Sequence, residues 1–174
     1  MAIVLRAVNI METVWFQALS GCMWIALCSL IWVEHSPVSF TMQSFGLMLV
    51  AFYQKPDVAF LSGLFYLIAA SIGLPVFGGE SFPLWFFSPS GGYLMGFPVA
   101  TYLISRFASH QMGGVILGHI AIYTLGFIWL AHFIGMKAAF VNGVVLFIPT
   151  DIAKGLLVIA IVKAVPPWGV KELE

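Results

Sequence analysis

Asp151 and Lys154 stand three residues apart in the middle of an apolar run from about residue 139 to 165. On a helix, that spacing puts both side chains on one face. A buried carboxylate accepts hydrogen bonds and a buried ammonium donates them, so the pair suits a polar small molecule that offers both kinds of partner. Either charge left alone in hydrocarbon costs several kcal/mol or more, so each must turn to the protein interior, neutralise the other or meet a ligand. An ion pair that only locks helices together is the plainer use of the same spacing.

Other residues add to this chemistry. Pro149 has no N–H and leaves the Val145 carbonyl without its helical donor, which predicts a kink or local unwinding over residues 147–151. Interrupted membrane helices expose backbone groups that can meet a substrate. The stretch Ser88-Pro-Ser-Gly-Gly-Tyr93 opens another apolar run. Its small residues and unpaired N–H groups can receive a carboxylate at a helix N-terminus, although Ser and Gly there are also ordinary caps. His119 has no acidic partner on its own helix and reads as a hydrogen-bonded packing residue. Cys22 and Cys28, the only cysteines, are six residues apart and fall on different helix faces, so neither a disulfide nor a metal site is expected. No Gly-x-x-x-x-Gly-Lys-Ser/Thr loop occurs, so energy must come from a partner or a gradient.

The elements that position these groups follow from composition. Of 174 residues, 61% are hydrophobic and 8% charged, with a mean hydropathy of +1.05. An ordinary soluble domain carries about 25% charged residues. An all-α, polytopic membrane protein follows, a single membrane domain over 1–174 in which lipid solvates most apolar side chains. The net charge of +0 gives no field for nucleic acid. Apolar stretches predict six spans, at 13–33, 41–54, 57–73, 92–108, 112–134 and 139–165. Lys55, Pro56 and Asp57 make a tight turn between the two shortest, which read as one hairpin of short helices. The first stretch reads as a retained helix and not a cleaved signal, and Leu173 and Glu174 as an appended remnant. With both termini cytoplasmic, Arg6, Lys55, Arg106, Lys163 and Lys171 share the inner side and Lys137 stands alone outside. The external loop 74–91 is long, rich in Gly, Pro and aromatics and nearly uncharged, either an interfacial anchor or a lid over a pocket. On the first span, Ala18, Cys22 and Ala26 form a small-residue stripe that permits close approach of another helix, within the chain or outside it.

Four motifs in order, Pro37-Val-Ser-Phe-Thr-Met-Gln43, Gly73-Leu-Pro-Val-Phe-Gly-Gly79, Ser88-Pro-Ser-Gly-Gly-Tyr-Leu-Met-Gly-Phe97 and Phe147-Ile-Pro-Thr-Asp-Ile-Ala-Lys154, resemble the BioY family. These are the biotin-binding S components of energy-coupling-factor (ECF) transporters. Ser88 and Ser90 stand where the family usually has Gly and Thr, and Thr150 where it has Gly. The resemblance implies a six-helix S component in a bacterial cytoplasmic membrane. It would capture biotin from outside and act alone or with a scaffold transmembrane subunit and two ATP-binding subunits. Ala18, Cys22 and Ala26 would dock that scaffold. No cofactor is implied, biotin being the transported molecule.

Biotin's ureido ring has two N–H donors and one carbonyl, complementary to Asp151 and Lys154. Its carboxylate is expected near Ser90, Gly91 and Gly92 or the first external loop, with Thr41 and Gln43 completing the polar contacts. Phe77, Trp85, Phe87 and Tyr93 are the expected apolar walls. An S component for riboflavin or thiamine would share the helix count but not the four motifs. An intramembrane serine protease using Ser90 and His119 would leave the Asp151 and Lys154 pair without a role. A purely structural subunit would tolerate loss of both charges.

Overall fold

The computed structural model describes residues 2–167, with side chains described from Thr13 onward. Leu173, Glu174 and Lys171 lie outside the described residues, as does the side chain of Arg6. The first helix, α1, spans Ala2–Ser29 and ends four residues before the expected bound at 33. It stops there because Trp32–Val33 (β1) pairs antiparallel with Phe40–Thr41 (β2), so the chain turns back as a small hairpin. Two short helices follow, α2 at Gln43–Tyr53 and α3 at Pro56–Ser71. Pro56 opens α3, where its missing N–H costs nothing.

The fourth span is two helical pieces, α4 at Gly91–Met95 and α5 at Phe97–Arg106. Gly96 joins them because a Cβ there would meet the α-carbon of Ile122 at 2.9 Å, so only glycine allows this approach. That neighbour belongs to α6, Gln111–Ile134. The last span begins as α7, Met136–Phe140, passes through a π-helical turn at Val141–Val145 and continues as α8, Ile148–Ala164. Two helical runs, Ala108–Ile134 and Met136–Ala164, are each long and apolar enough to cross a bilayer. With 11 residues, α2 rises only about 16 Å. It is buried along most of its length, with Leu47, Met48 and Ala51 in the core.

The bundle is apolar outside as well as inside. Phe16, Leu19, Met23 and Leu27 form an exposed face of α1, and Ile152, Leu156 and Leu157 one of α8. Such surfaces belong in hydrocarbon, which dissolves leucine without cost. The interior holds the polar residues Ser62, Thr101, His119 and Asp151.

The stripe on α1 packs partly inward. Ala18 is 0% exposed, and Cys22 and Ala26 pack against the core. Beside them, a Cβ on Gly21 would strike the Ser62 hydroxyl of α3. Small residues let α1 approach its own bundle closely, and Ala18 offers no outer surface.

Pro149 also acts elsewhere than expected. Residues 148–151 are helical, and the Asp151 N–H donates to the Phe147 carbonyl at 3.0 Å. The irregular turn lies upstream, where the Leu146 N–H reaches the Val141 carbonyl at 3.2 Å and the Phe147 N–H the Val144 carbonyl at 3.1 Å. A proline ring crowds the carbonyl four residues before it, so the strain is relieved in the preceding turn.

Candidate functional site

The N-terminal ends of α2, α4 and α8 converge beneath the β1–β2 hairpin and the loop before α4, and enclose a cavity of about 410 Å³. Asp151 and Lys154 lie on its wall. Asp151, 8% exposed, accepts from the Lys154 ammonium at 2.9 Å and from the Ser44 hydroxyl at 3.1 Å on Oδ1. Its Oδ2 accepts from the Tyr123 hydroxyl at 2.6 Å. Lys154 also donates to the Thr41 carbonyl at 2.8 Å and to Ser44 Oγ at 3.0 Å. An ammonium has three N–H bonds, and all three are in use. The ammonium is thus fully engaged within the protein, and an acceptor brought to it must displace Thr41, Ser44 or Asp151.

A second polar line runs from the cavity into the long loop. Thr41 Oγ1 donates to Gln43 Oε1 at 3.0 Å, and Gln43 Nε2 donates to the Tyr66 hydroxyl at 2.6 Å. Tyr66 donates in turn to the Val76 carbonyl at 2.9 Å, where Ser29 Oγ also donates at 2.6 Å. The Gly78 N–H returns to Ser29 Oγ at 3.1 Å. Residues 76–78 are thus tied to α1 and α3 and, through Gln43, to the cavity wall.

Trp85, 6% exposed, donates its indole N–H to Ser71 Oγ at 3.0 Å, so it is a packed wall and not an anchor in the headgroups. Phe77 meets it edge to face, 6.5 Å between centroids. The Tyr93 hydroxyl donates to the Gly143 carbonyl in the π turn at 2.9 Å, leaving the ring to line the cavity beside Phe147. Gly126 and Gly143 make room for that ring, since a Cβ on either would collide with Tyr93.

The cavity brings together Thr41, Gln43, Phe77, Trp85, Ser90, Tyr93, Asp151 and Lys154, eight of the eleven residues expected to meet the ligand. Gly91, Gly92 and Phe87 are the exceptions. The Gly91 N–H donates to the Ser88 carbonyl at 3.0 Å, and its α-carbon faces the Phe86 carbonyl and the Trp129 indole. Gly92 faces Leu125 and Trp129. These glycines admit α6, and at the mouth the Ser88 hydroxyl donates to the Trp85 carbonyl at 2.6 Å and lies 2.9 Å from Ser90 Oγ. Phe87 is 65% exposed and stands outside the wall. Ser44, Tyr123 and Phe147 are wall residues that the sequence reading missed. Ser90 and His119 are each engaged elsewhere, with Ser88 and with the Val115 carbonyl.

The model of the BioY family matches residues 4–169, nearly the whole chain. The chain belongs to the BioY family. Among BioY relatives, the probable biotin transporter BioY of Pyrococcus horikoshii is 36% identical, over 80% of this chain and 89% of that protein. The probable biotin transporter BioY of Rickettsia prowazekii is 35% identical, over 79% and 75%. Biotin transporter BioY2 of Lactococcus lactis subsp. cremoris is 33% identical, over 79% and 81%. A crystal structure of the S-component for biotin from an ECF-type ABC transporter aligns with a TM-score of 0.76 at 26% identity, covering 90% of this chain and 92% of that one. BioY proteins are transport components and not enzymes, and the bundle is a membrane fold of the ECF S-component type.

Proposed function

We propose that this chain is a multi-pass protein of the bacterial cytoplasmic membrane that captures biotin from outside and moves it inward as an S component. The observation that carries this reading is the Asp151 and Lys154 pair on the wall of a cavity of about 410 Å³, within the range of small-molecule sites. The ureido carbonyl takes one N–H of Lys154 in place of Thr41 or Ser44. One ureido N–H donates to Asp151, whose two oxygens offer about four acceptor positions of which three are filled. The thiolane and alkyl chain lie against Phe77, Trp85, Tyr93 and Phe147, and the carboxylate points to Ser88 and Ser90 at the mouth. Family membership and its relatives among biotin transporters support biotin over other vitamins.

In this reading both termini are cytoplasmic and residues 74–91 close over bound ligand. A scaffold subunit with two ATP-binding subunits drives turnover where present. The exposed Leu19, Met23 and Leu27 support docking through the outer face of α1, in place of Ala18. The test is thermal unfolding of the purified chain in detergent. Biotin is expected to raise the midpoint, with riboflavin and thiamine inert. Equal stabilisation by riboflavin, or none by biotin, would refute the assignment.

A further inference from the structure

His119, on α6, is a buried group at this site that the ligand contacts leave unused. Its Nδ1 lies 2.9 Å from the carbonyl oxygen of Val115, one turn back. A carbonyl only accepts, so Nδ1 carries the hydrogen and Nε2 of the neutral ring is an acceptor. Nε2 is buried with no hydrogen-bond partner. It faces Asp151 Oδ2 at 3.8 Å, an acceptor already receiving Tyr123. Two acceptors facing each other out of water repel, and a proton between them turns repulsion into attraction. His119 also stands apart from the ligand. It lines a separate apolar cleft of about 250 Å³ between α6 and α8, which Asp151 and Tyr123 share. The carboxylate therefore has the ligand cavity on one side and the imidazole on the other.

Among the described residues, the surroundings supply no competing charge. From α8, His119 meets Asp151 and, through it, Lys154. Its own helix contributes Tyr123, 5.8 Å between ring centroids. The nearest part of α5 presents Ile104 and the Ala100 backbone to the adjoining Gly118, and Tyr93 of α4 meets α6 two turns away at Gly126. Ser44 of α2 touches the far oxygen of Asp151.

We propose that His119 is a proton site linked to the ligand site, taking up one proton on Nε2 from solvent as biotin binds. The inference rests on the biotin reading above. The ligand adds its own negative charge. With Asp151 and Lys154 it makes a loaded bundle of net charge −1, which an imidazolium at His119 brings to zero. Neutral assemblies cost least in a low-dielectric interior. Linkage then requires the reverse: biotin binds more tightly as pH falls.

Calorimetric titration of biotin into the full-length chain at about pH 7, in phosphate and in Tris, reads the proton directly. The expected result is an apparent enthalpy that differs between buffers in the sense of proton uptake, with Kd falling several-fold towards about pH 6. His119→Gln keeps an amide within reach of Val115 and is expected to bind biotin with equal enthalpies in both buffers. Should that variant not fold, imidazole ¹⁵N resonances of the wild type, which has four histidines, report one ring becoming imidazolium on adding biotin. Biotin binding with no buffer dependence and no imidazolium would overturn the proton site alone. So would a buffer dependence that persists in His119→Gln. Absence of any biotin binding would overturn the function as well.

Discussion

Asp151 holds the site because it accepts from three different elements: Ser44 on α2, Tyr123 on α6 and Lys154 on α8. Asp151→Asn replaces one acceptor oxygen with a donor and leaves Lys154 unneutralised. Breaking a buried pair on one side costs about 3–5 kcal/mol. Biotin affinity is expected to fall at least ~100-fold, measured by equilibrium binding on purified protein, and wild-type affinity would refute the clamp. Tyr123→Phe removes a single hydrogen bond to a charged acceptor, worth about 1.5–3 kcal/mol. A loss of roughly 10- to 100-fold is expected there by the same assay. The pair was legible in the sequence because charge in an apolar run is costly wherever the chain goes. Ser44, Tyr123 and His119 were not, since each sits on a helix other than α8 and only packing brings it to Asp151. The same limit left the partner of Ala18 open: small residues announce a close neighbour without saying which.

At the level of elements, the last span is built to be irregular above the acid. Pro149 moves the disturbance into the turn at Val141–Val145, and that turn presents the Gly143 carbonyl to Tyr93. Pro149→Ala restores a donor for the Val145 carbonyl and favours regular helix. Higher amide protection around residue 145 and weaker biotin binding are expected, by hydrogen exchange and by affinity measurement. Unchanged exchange would show that the turn has another cause. The seat of Tyr93 is equally specific. In Gly126→Ala the new Cβ overlaps the Tyr93 ring, and overpacking of this kind costs about 1–3 kcal/mol. A lower unfolding midpoint and weaker binding are expected together. Helix positions were readable from apolar length and punctuation. The site of the break was not, because the clash of a proline falls on the turn before it.

For the whole molecule, the loop before α4 is joined to the bundle by packed side chains, Phe77 and Trp85 among them, and by a short chain of hydrogen bonds. Tyr66→Phe cuts the link between Gln43 and the Val76 carbonyl. A spin label at Ser81, an exposed position, is expected to become more mobile in that variant and less mobile in the wild type when biotin is added. No change on adding biotin would argue against a lid. The Asp151 and Lys154 pair also bears on how the chain is made. Each such residue at mid-helix adds about 2.5–3.5 kcal/mol to the cost of leaving the translocon for lipid. The groups that share this burden, Thr41 and Ser44, emerge from the ribosome more than a hundred residues earlier. The final span thus enters the bilayer as the client of an earlier one. Glycosylation mapping of a chain lacking α2 is expected to show α8 failing to integrate, although its apolar length alone would carry it in.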